Sequence, residues 1–238
     1  IDGSSIQNQQ LLFSLKSSVL RKSYGSAHII TSHRTEILAG VQMEFFQPET
    51  EYFSQQGRIS FSIELSKVAQ SDLEAVPNLQ NYTSQLISLL NSTFNNKDCV
   101  DLSALCIEPK KKCINLIVDI LILQAQGDLA FPVSAVSKFA LKDTKIAIDF
   151  DQGQESSINI KKTKLDSLWA NNLPLFISCS LLNDKCLLCP PLPEKLSCQT
   201  CFLAAVSYKE SQIVGLDVSN KGVFSWTDYA KATQVYFN

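Results

Sequence analysis

Four cysteines in the second half of the sequence have the spacing of a metal site built from thiolates. They form two pairs, Cys186-x-x-Cys189 and Cys198-x-x-Cys201, with eight residues between the pairs. Structural zinc sites commonly hold Zn²⁺ in a tetrahedron of four such thiolates. The spacing therefore predicts a structural zinc site at Cys186, Cys189, Cys198 and Cys201.

Strand geometry allows a second interpretation of the same cysteines. Residues three apart in a regular strand point to opposite faces, which opposes a single metal site unless the strands bend into knuckles. The four thiols would then be reduced, half-buried side chains in place of Val or Leu. The cysteines that lack a neighbour at this spacing are interpreted as small buried residues, and they are Cys99, Cys106, Cys113 and Cys179.

Two lysine clusters are further candidates for binding. They comprise Lys110, Lys111 and Lys112 in one cluster and Lys161, Lys162 and Lys164 in the other. The 238-residue chain nevertheless has a formal net charge of −2 and a pI of about 5.7. Nucleic-acid-binding proteins usually carry a basic excess, so this balance argues against a free-standing nucleic-acid binder.

The pattern of apolar residues predicts an α+β fold. Residues 11–65 contain short alternating runs, which indicate an antiparallel sheet with one covered face. Between residues 71 and 94 apolar residues recur every three or four positions after a helix-start signal at Ser71, which predicts a helix covering the sheet. Residues 114–123 resemble a strand buried on both faces. A second helical stripe follows at Val133, Val136, Ala140 and Leu141.

The second half of the chain reads as short strands separated by turns. Strands are predicted at 158–160, 175–182, 185–189, 201–208 and 211–218, after an acidic loop at 149–157 and before a final helix from Trp226. No low-complexity linker separates the halves, which predicts a single domain over 1–238, with halves of about 1–148 and 158–238. No apolar stretch reaches the ~18 residues of a membrane helix, so we expect no membrane contact.

Several short segments occur in an order that resembles the ribonuclease PH family. They are Tyr24-Gly25-Ser26-Ala27, the run Thr35-Glu36-Ile37-Leu38-Ala39-Gly40-Val41, Gly57-Arg58-Ile59, Leu105-Cys106-Ile107 and Gly127-Asp128-Leu129. The resemblance covers somewhat over half of the chain. It implies a ribonuclease PH-like fold, a two-layer β-α sandwich related to domain 2 of ribosomal protein S5.

In active members of that family, inorganic phosphate attacks the 3′-terminal phosphodiester of RNA and releases nucleoside diphosphates. Arginines on the first long helix and before the central strand hold the phosphate groups, because a guanidinium binds phosphate oxygens bidentately. This chain has arginine only at Arg21, Arg34 and Arg58. Residues 78–96, where the first long helix is expected, are uncharged. The position before the central strand is Pro109-Lys110-Lys111-Lys112. The resemblance therefore implies that the phosphate clamp is missing.

Active members also carry an Asp at a strand end and a second Asp six residues later, which hold a divalent ion and assist the leaving group. The first position here is Cys189 or Pro190, and the second is Lys195 or Leu196. Glu194 is the only carboxylate in residues 187–196. We therefore predict no catalytic residues.

The resemblance then implies a non-catalytic ring subunit of the eukaryotic RNA exosome core. Its expected partners are other ribonuclease PH-like subunits, S1/KH cap subunits and RNA, which Lys110, Lys111 and Lys112 would contact. The expected location is the nucleus, including the nucleolus, and the cytoplasm, and no cofactor is expected unless the four paired cysteines hold a structural zinc. In the family's arrangement of strands, Cys189 would face Cys198 and Cys186 would face Cys201.

Two alternatives remain open. One is an active phosphate-dependent 3′ to 5′ exoribonuclease whose missing residues come from a neighbouring subunit. The other is a zinc-stabilised RNA-binding module that acts outside the exosome.

Overall fold

The computed structural model describes residues 12–48, 56–76, 78–97, 99–145, 172–182, 185–198, 200–207 and 212–219. The first part of the chain forms the strands β1 (Phe13–Ser17), β2 (Gly25–Thr31), β3 (Thr35–Phe46), β4 (Arg58–Leu65), β5 (Cys106–Glu108) and β6 (Lys112–Ala125). It also forms the helices α1 (Lys67–Asp72), α2 (Leu79–Phe94) and α3 (Ala130–Asp143). Among the described residues, no helix has the length and apolar character needed to cross a membrane.

The first sheet has the strand order β1-β2-β3-β6-β4, with β5 also paired to β6. The predicted antiparallel pairing holds for β1, β2 and β3. It is wrong for β4, because β6 lies between β3 and β4 and runs parallel to β4. Two strands that are neighbours in sequence are therefore separated in space by a strand that follows them by about 50 residues.

Strand β6 is buried mainly on one face, which corrects the prediction that both faces are covered. The even-numbered positions from Ile114 to Ile122 are buried, whereas Ile117, Asp119 and Leu121 are half-buried. Asp119 is satisfied on this second face by the Ser62 hydroxyl, which donates a hydrogen bond of 2.6 Å to Oδ1.

The predicted helix start at Ser71 is wrong. Ser66 caps α1 instead, because its hydroxyl accepts a hydrogen bond of 3.0 Å from the Ala69 N–H. The longer helix α2 begins only at Leu79, after Asn78 in a left-handed conformation. The second predicted stripe is confirmed, since Val133, Val136, Ala140 and Leu141 are buried on α3.

The second sheet contains β7 (Leu175–Leu182), β8 (Lys185–Leu188), β9 (Thr200–Ser207) and β10 (Gln212–Ser219), in the order β10-β9-β7-β8. These strands confirm the predictions for this part of the chain. A short helix α4 (Leu192–Ser197) occupies the stretch between β8 and β9, where a loop was predicted. The predicted strand at 158–160, the loop at 149–157 and the helix from Trp226 lie outside the described residues.

The two sheets share one core through α2 and α3, each of which contacts both sheets. The Phe94 ring on α2 lies 5.1 Å from the Phe61 ring of the first sheet and 6.3 Å from the Phe176 ring of the second. The Ser134 hydroxyl of α3 accepts a hydrogen bond of 2.8 Å from the Phe176 N–H. These contacts fix β7, and with it the neighbouring β8 and α4, against α3. The fold is of the α+β class, as predicted.

Candidate functional site

A buried ion pair joins the two halves of the chain where α4 meets the start of α3. The Lys195 ammonium of α4 lies 2.6 Å from Oδ1 of Asp128 and donates a hydrogen bond of 3.3 Å to the Tyr82 hydroxyl of α2. The side chain of Asp128 is 2% exposed and that of Lys195 is 16% exposed. The cluster therefore combines groups from three separate segments in a nearly water-free place.

The second oxygen of Asp128 caps helix α3. Its Oδ2 accepts hydrogen bonds from the N–H groups of Ala130, at 3.0 Å, and Phe131, at 3.4 Å. The N-terminus of a helix attracts anions, because its first N–H groups have no partner within the helix and the helix dipole is positive there. In this chain the Asp128 carboxylate already occupies that position.

Close packing fixes the loop that carries Asp128. The Gly127 N–H donates a hydrogen bond of 2.9 Å to the Thr35 hydroxyl. A Cβ atom on Gly127 would lie 2.7 Å from Cβ of His33, so only glycine fits against the turn between β2 and β3. The Gly127-Asp128 motif thus has a physical reason, because the glycine permits the approach and the aspartate then caps α3.

Helix α4 places Lys195 opposite this loop. It begins after Pro191, has proline in its first turn, and its Lys195 N–H donates to the Pro191 carbonyl at 3.0 Å. Proline suits the start of a helix, because its missing N–H would have no partner there. The two prolines around Leu192 therefore start α4 early enough to direct Lys195, and not Glu194, into the site.

The electrostatics keep the lysine charged. Burial alone would lower the pKa of Lys195, but the adjacent Asp128 carboxylate and the Tyr82 hydroxyl outweigh burial and raise this pKa above its usual value. Burial raises the pKa of Tyr82, which therefore stays protonated. The charges of Lys195 and Asp128 compensate each other, and Asp217 also lines the cavity beside Lys195.

The space beside the pair is small. A cavity of about 30 Å³ is lined by residues that include Tyr82, Ser178, Lys195 and Cys201. Such a volume accommodates about one water molecule, whereas pockets for ligands of drug size measure roughly 300–1,000 Å³. No arginine is among the described residues that line this cavity.

Comparison with known proteins identifies the family. Residues 12–147 match the family model described as the 3′ exoribonuclease family, domain 1, of ribonuclease PH. The chain belongs to the ribonuclease PH family. This membership confirms the resemblance of the sequence segments and accounts for the fold.

Curated relatives of the chain include archaeal exosome components. The chain is 25% identical over 213 residues to the exosome complex component Rrp42 of Methanocella arvoryzae, which covers 89% of this chain and 76% of the relative. It is 26% identical over 213 residues to Rrp42 of Saccharolobus solfataricus, with coverage of 89% and 75%.

Solved structures show the same fold. A chain of the Archaeoglobus fulgidus exosome with RNA bound to the active site has a TM-score of 0.76 and 22% identity, and the match covers 99% of this chain and 87% of that chain. The crystal structure of rice Rrp46 has a TM-score of 0.61 and 15% identity, with coverage of 99% and 92%.

The three arginines of this ribonuclease PH-family chain lie in three different surroundings. Arg21 lines a cavity of about 440 Å³ on the half-buried face of the first sheet. Arg34 lines a cavity of about 390 Å³ together with Pro191 and Pro193. The Arg58 guanidinium stacks 4.4 Å from the centre of the Phe46 ring at the start of β4. The described structure therefore brings no arginine to the place where Lys195 meets Asp128.

The predicted RNA-contact lysines occupy the tip of the β5–β6 hairpin. Lys110 is exposed in the turn and has a left-handed backbone, with φ of 68°. Lys111 is exposed and forms an ion pair with Glu108. The Lys112 ammonium lies 4.4 Å from the centre of the Phe45 ring. The structure thus brings the three lysines to one end of the first sheet, where two of them also contact side chains of the protein.

The described cysteines of the predicted zinc site lie in different surroundings. Cys198 and Cys201 pack with Leu187 in a small buried cluster, and the Cys201 thiol lies 3.0 Å from the Ser180 hydroxyl. Burial raises the pKa of Cys189 to about 12. The described residues contain no group of three or more His, Cys, Asp or Glu arranged to hold a metal ion. The side chain of Cys186 is not described, so the four-cysteine zinc site stays a prediction.

The expected pairing of Cys186 with Cys201 across adjacent strands is wrong. Cys186 is paired in register with Leu181 of β7, whereas Cys201 is paired with Ser180 on the opposite edge of the same strand. Strand β7 therefore lies between β8 and β9. Helix α4 connects these two strands from one side of β7 to the other.

Of the cysteines predicted to be small buried residues, Cys99, Cys113 and Cys179 are buried and Cys106 is half-buried. Cys179 is also disulfide-bonded, and the Cys113 thiol lies 3.5 Å from the Cys106 sulfur.

Proposed function

We propose that this chain is a non-catalytic subunit of an RNA exosome core ring and supports 3′ to 5′ RNA processing and degradation by positioning its neighbours. Its partners in this proposal are other ribonuclease PH-like subunits, S1/KH cap subunits and RNA. Membership of the family supports the proposal, as do archaeal relatives named exosome complex component Rrp42. A eukaryotic location in the nucleus, nucleolus and cytoplasm belongs to the same proposal.

The observation that carries the absence of catalysis is the Lys195–Asp128 pair. The family resemblance puts the second catalytic carboxylate at Lys195 or its neighbour Leu196. A lysine ammonium at this point repels a divalent cation, and it neutralises the Asp128 carboxylate by direct contact at 2.6 Å. A metal ion would have to displace a buried, hydrogen-bonded cation before it could bind Asp128.

The start of α3 gives a second reason. Its first free N–H groups, which would suit a phosphate, donate to Asp128 instead. Inorganic phosphate would then meet a carboxylate where it needs donors, and the cavity of about 30 Å³ holds little more than a water molecule. The small cavity beside the ion pair therefore has no room for the phosphate or the 3′-terminal nucleotide, and the charge of Lys195 is already compensated by Asp128.

An active nuclease would require a neighbouring subunit to supply arginines and carboxylates to this chain. Such a contribution would not remove Lys195 or Asp128, which close the site from within. The geometry therefore favours the scaffold function over the phosphorolytic alternative.

Affinity purification of the tagged chain from its native cell tests the assembly. We expect other ribonuclease PH-like subunits and S1/KH proteins to co-purify at near-equal amounts, as measured by quantitative mass spectrometry. A chain that purifies alone as a stable monomer would contradict the ring-subunit proposal, because ring subunits bury apolar surface against their neighbours.

A phosphorolysis assay tests the absence of catalysis. The isolated chain is incubated with single-stranded RNA, inorganic phosphate and Mg²⁺, and nucleoside diphosphates are measured by chromatography. We expect no phosphate-dependent release. Release that disappears in Glu194→Ala, but persists in the matched exposed variant Glu74→Ala, would assign a catalytic carboxylate and overturn the proposal.

A further inference from the structure

Two cysteines face each other across the β5–β6 hairpin. Cys106 and Cys113 are direct partners in the antiparallel register, and their Sγ atoms are 3.5 Å apart. The Cys113 thiol donates a weak hydrogen bond to the Cys106 sulfur. Both cysteines are therefore reduced in this structure and lie side by side at the base of the hairpin that carries Lys110.

The geometry of this pair suits a disulfide bond. Direct partners in an antiparallel pair have Cα atoms about 4.5–5.5 Å apart, and disulfides span Cα separations of about 4.4–6.8 Å. The sulfurs must approach from 3.5 Å to about 2.05 Å, which side-chain rotation can supply without moving the strands. Oxidation thus requires no rearrangement of the sheet.

The two thiols differ in access. Cys113 is fully buried, whereas Cys106 is half-buried. Burial, together with the neighbouring Cys106, raises the pKa of Cys113 to about 11. A soluble oxidant therefore reaches Cys106 first, and Cys113 is held beside it as the second thiol.

We propose that Cys106 and Cys113 form a reversible thiol–disulfide pair that small-molecule disulfides such as oxidised glutathione oxidise. The Cys106 thiolate attacks one sulfur of oxidised glutathione, which forms a mixed disulfide and releases one glutathione thiolate. The Cys113 thiol then attacks the Cys106 sulfur and passes its proton to the departing glutathione sulfur, which leaves as the second glutathione thiol. The protein loses two hydrogens, and one oxidised glutathione becomes two reduced glutathiones.

The disulfide would fix the hairpin tip. It would close a loop of eight residues that contains Lys110, Lys111 and Lys112, and it would restrict the orientations of these lysines. Any effect on RNA binding rests on the proposed RNA contact of these lysines. The thiol–disulfide reaction itself does not, so the two can fail separately.

Peptide mapping tests the reaction on the full chain. The reduced protein is equilibrated with mixtures of reduced and oxidised glutathione, quenched with N-ethylmaleimide and digested with trypsin and Asp-N without reductant. Cleavage after the lysines and before Asp101 and Asp119 places Cys106 in peptide 101–110 and Cys113 in peptide 113–118, separate from Cys99. We expect a linked 101–110/113–118 pair that accumulates with oxidised glutathione and disappears with dithiothreitol.

Variants separate the two steps. In Cys113→Val, Cys106 should accumulate a glutathione adduct, because no second thiol is present to release it. Cys106→Ser removes the first thiol with only a small change in side-chain size at the half-buried position. Cys113 should then stay unmodified, because it is buried. The matched variant Cys99→Ala should still form the linked peptide. Persistent glutathione adducts on Cys106 in the wild-type chain without the linked peptide would overturn the proposal, as would unmodified thiols at every glutathione ratio.

Discussion

The Lys195 ammonium lies 5.3 Å from the centre of the Tyr82 ring, in addition to its contact with the Tyr82 hydroxyl. Tyr82 belongs to α2, Lys195 to α4, and Asp128, the other partner of Lys195, precedes α3. One ammonium group thus connects three segments that are far apart in the sequence. The cluster is therefore a structural clamp between these segments.

The clamp can be measured by a double-mutant cycle. Removal of one member of a buried ion pair leaves an uncompensated charge and costs about 3–5 kcal/mol. We expect Lys195→Met and Asp128→Asn each to lower the free energy of unfolding by about this amount. The double variant should lose clearly less than the sum, because neither charge is then left alone. Urea denaturation of the four proteins gives the coupling energy.

Tyr82→Phe serves as the control for this cycle, because it keeps the ring and removes only the hydroxyl. It should cost about 1 kcal/mol, the usual net value of one hydrogen bond. Strictly additive losses in Lys195→Met and Asp128→Asn would contradict a direct interaction between the two charges.

The stability of the chain should fall in alkaline solution. Burial raises the pKa of Cys189 from 9.0 to about 12 and raises the pKa of Tyr82 above 10.0, and Lys195 also has a raised pKa because of Asp128. A raised pKa stabilises the folded state below the unfolded-state pKa, and this contribution disappears as the pH rises through the folded-state pKa. The free energy of unfolding should therefore decrease from about pH 9 to about pH 12.

Urea denaturation at intervals across this range checks the prediction. Cys189→Ala should reduce the slope, because it removes the group whose titration begins at the lowest pH. An unfolding free energy that rises or stays constant above pH 9 would be incompatible with these pKa directions.

Charge reversal of the hairpin lysines tests the proposed RNA contact. Lys110, Lys111 and Lys112 are changed to Glu within an assembled ring, and RNA crosslinking and affinity are measured against salt concentration. Each lost contact with a single-stranded phosphate should reduce the slope of log K against log salt by about 0.7. The loss should not depend on RNA sequence, because lysine–phosphate contacts carry no base information.

The matched control reverses three exposed lysines elsewhere, Lys16, Lys67 and Lys97. It changes the net charge equally and should affect crosslinking much less. Equal effects of the two triple variants on crosslinking would show that the hairpin lysines act only as ordinary surface charge.

The metal content of the purified chain decides between the two interpretations of the paired cysteines. Cys198 and Cys201 are packed with Leu187, and Cys201 contacts Ser180, so we expect no stoichiometric zinc by atomic emission. One equivalent of zinc that is lost in Cys198→Ser and retained in Cys99→Ser would establish the metal site instead.

The local elements of this fold could largely be predicted from the sequence, but their long-range partners could not. The strand predicted at 175–182 is β7 with its observed bounds. Ser66 and Ser71 both precede segments that could be helical, so the sequence does not show which serine caps the helix. In the structure the Ser66 hydroxyl accepts a hydrogen bond from the Ala69 N–H, which identifies Ser66 as the cap. Neither the β4 segment nor the β6 segment has a sequence pattern that indicates their parallel pairing.

The candidate site follows the same division. Gly127 and Asp128 are visible as a family motif, and Lys195 is visible as the residue that replaces a carboxylate. The contact between Asp128 and Lys195 is not visible in the sequence, because 67 residues separate them. It also depends on the unpredicted helix α4, which determines the side chain that enters the site. The Cys106–Cys113 pair could have been inferred from the sequence, since Pro109 and Lys110 between them indicate the turn of a hairpin.

The position of β6 also governs the order in which the chain can fold during synthesis. The strand is at the centre of the first sheet, between β3 and β4, yet the ribosome makes it after both. Until residue 125 has emerged, β3 and β4 each present an unpaired edge, and contacts so distant in sequence form slowly. We therefore expect a nascent or truncated chain that stops before β6 to aggregate unless its strand edges are shielded.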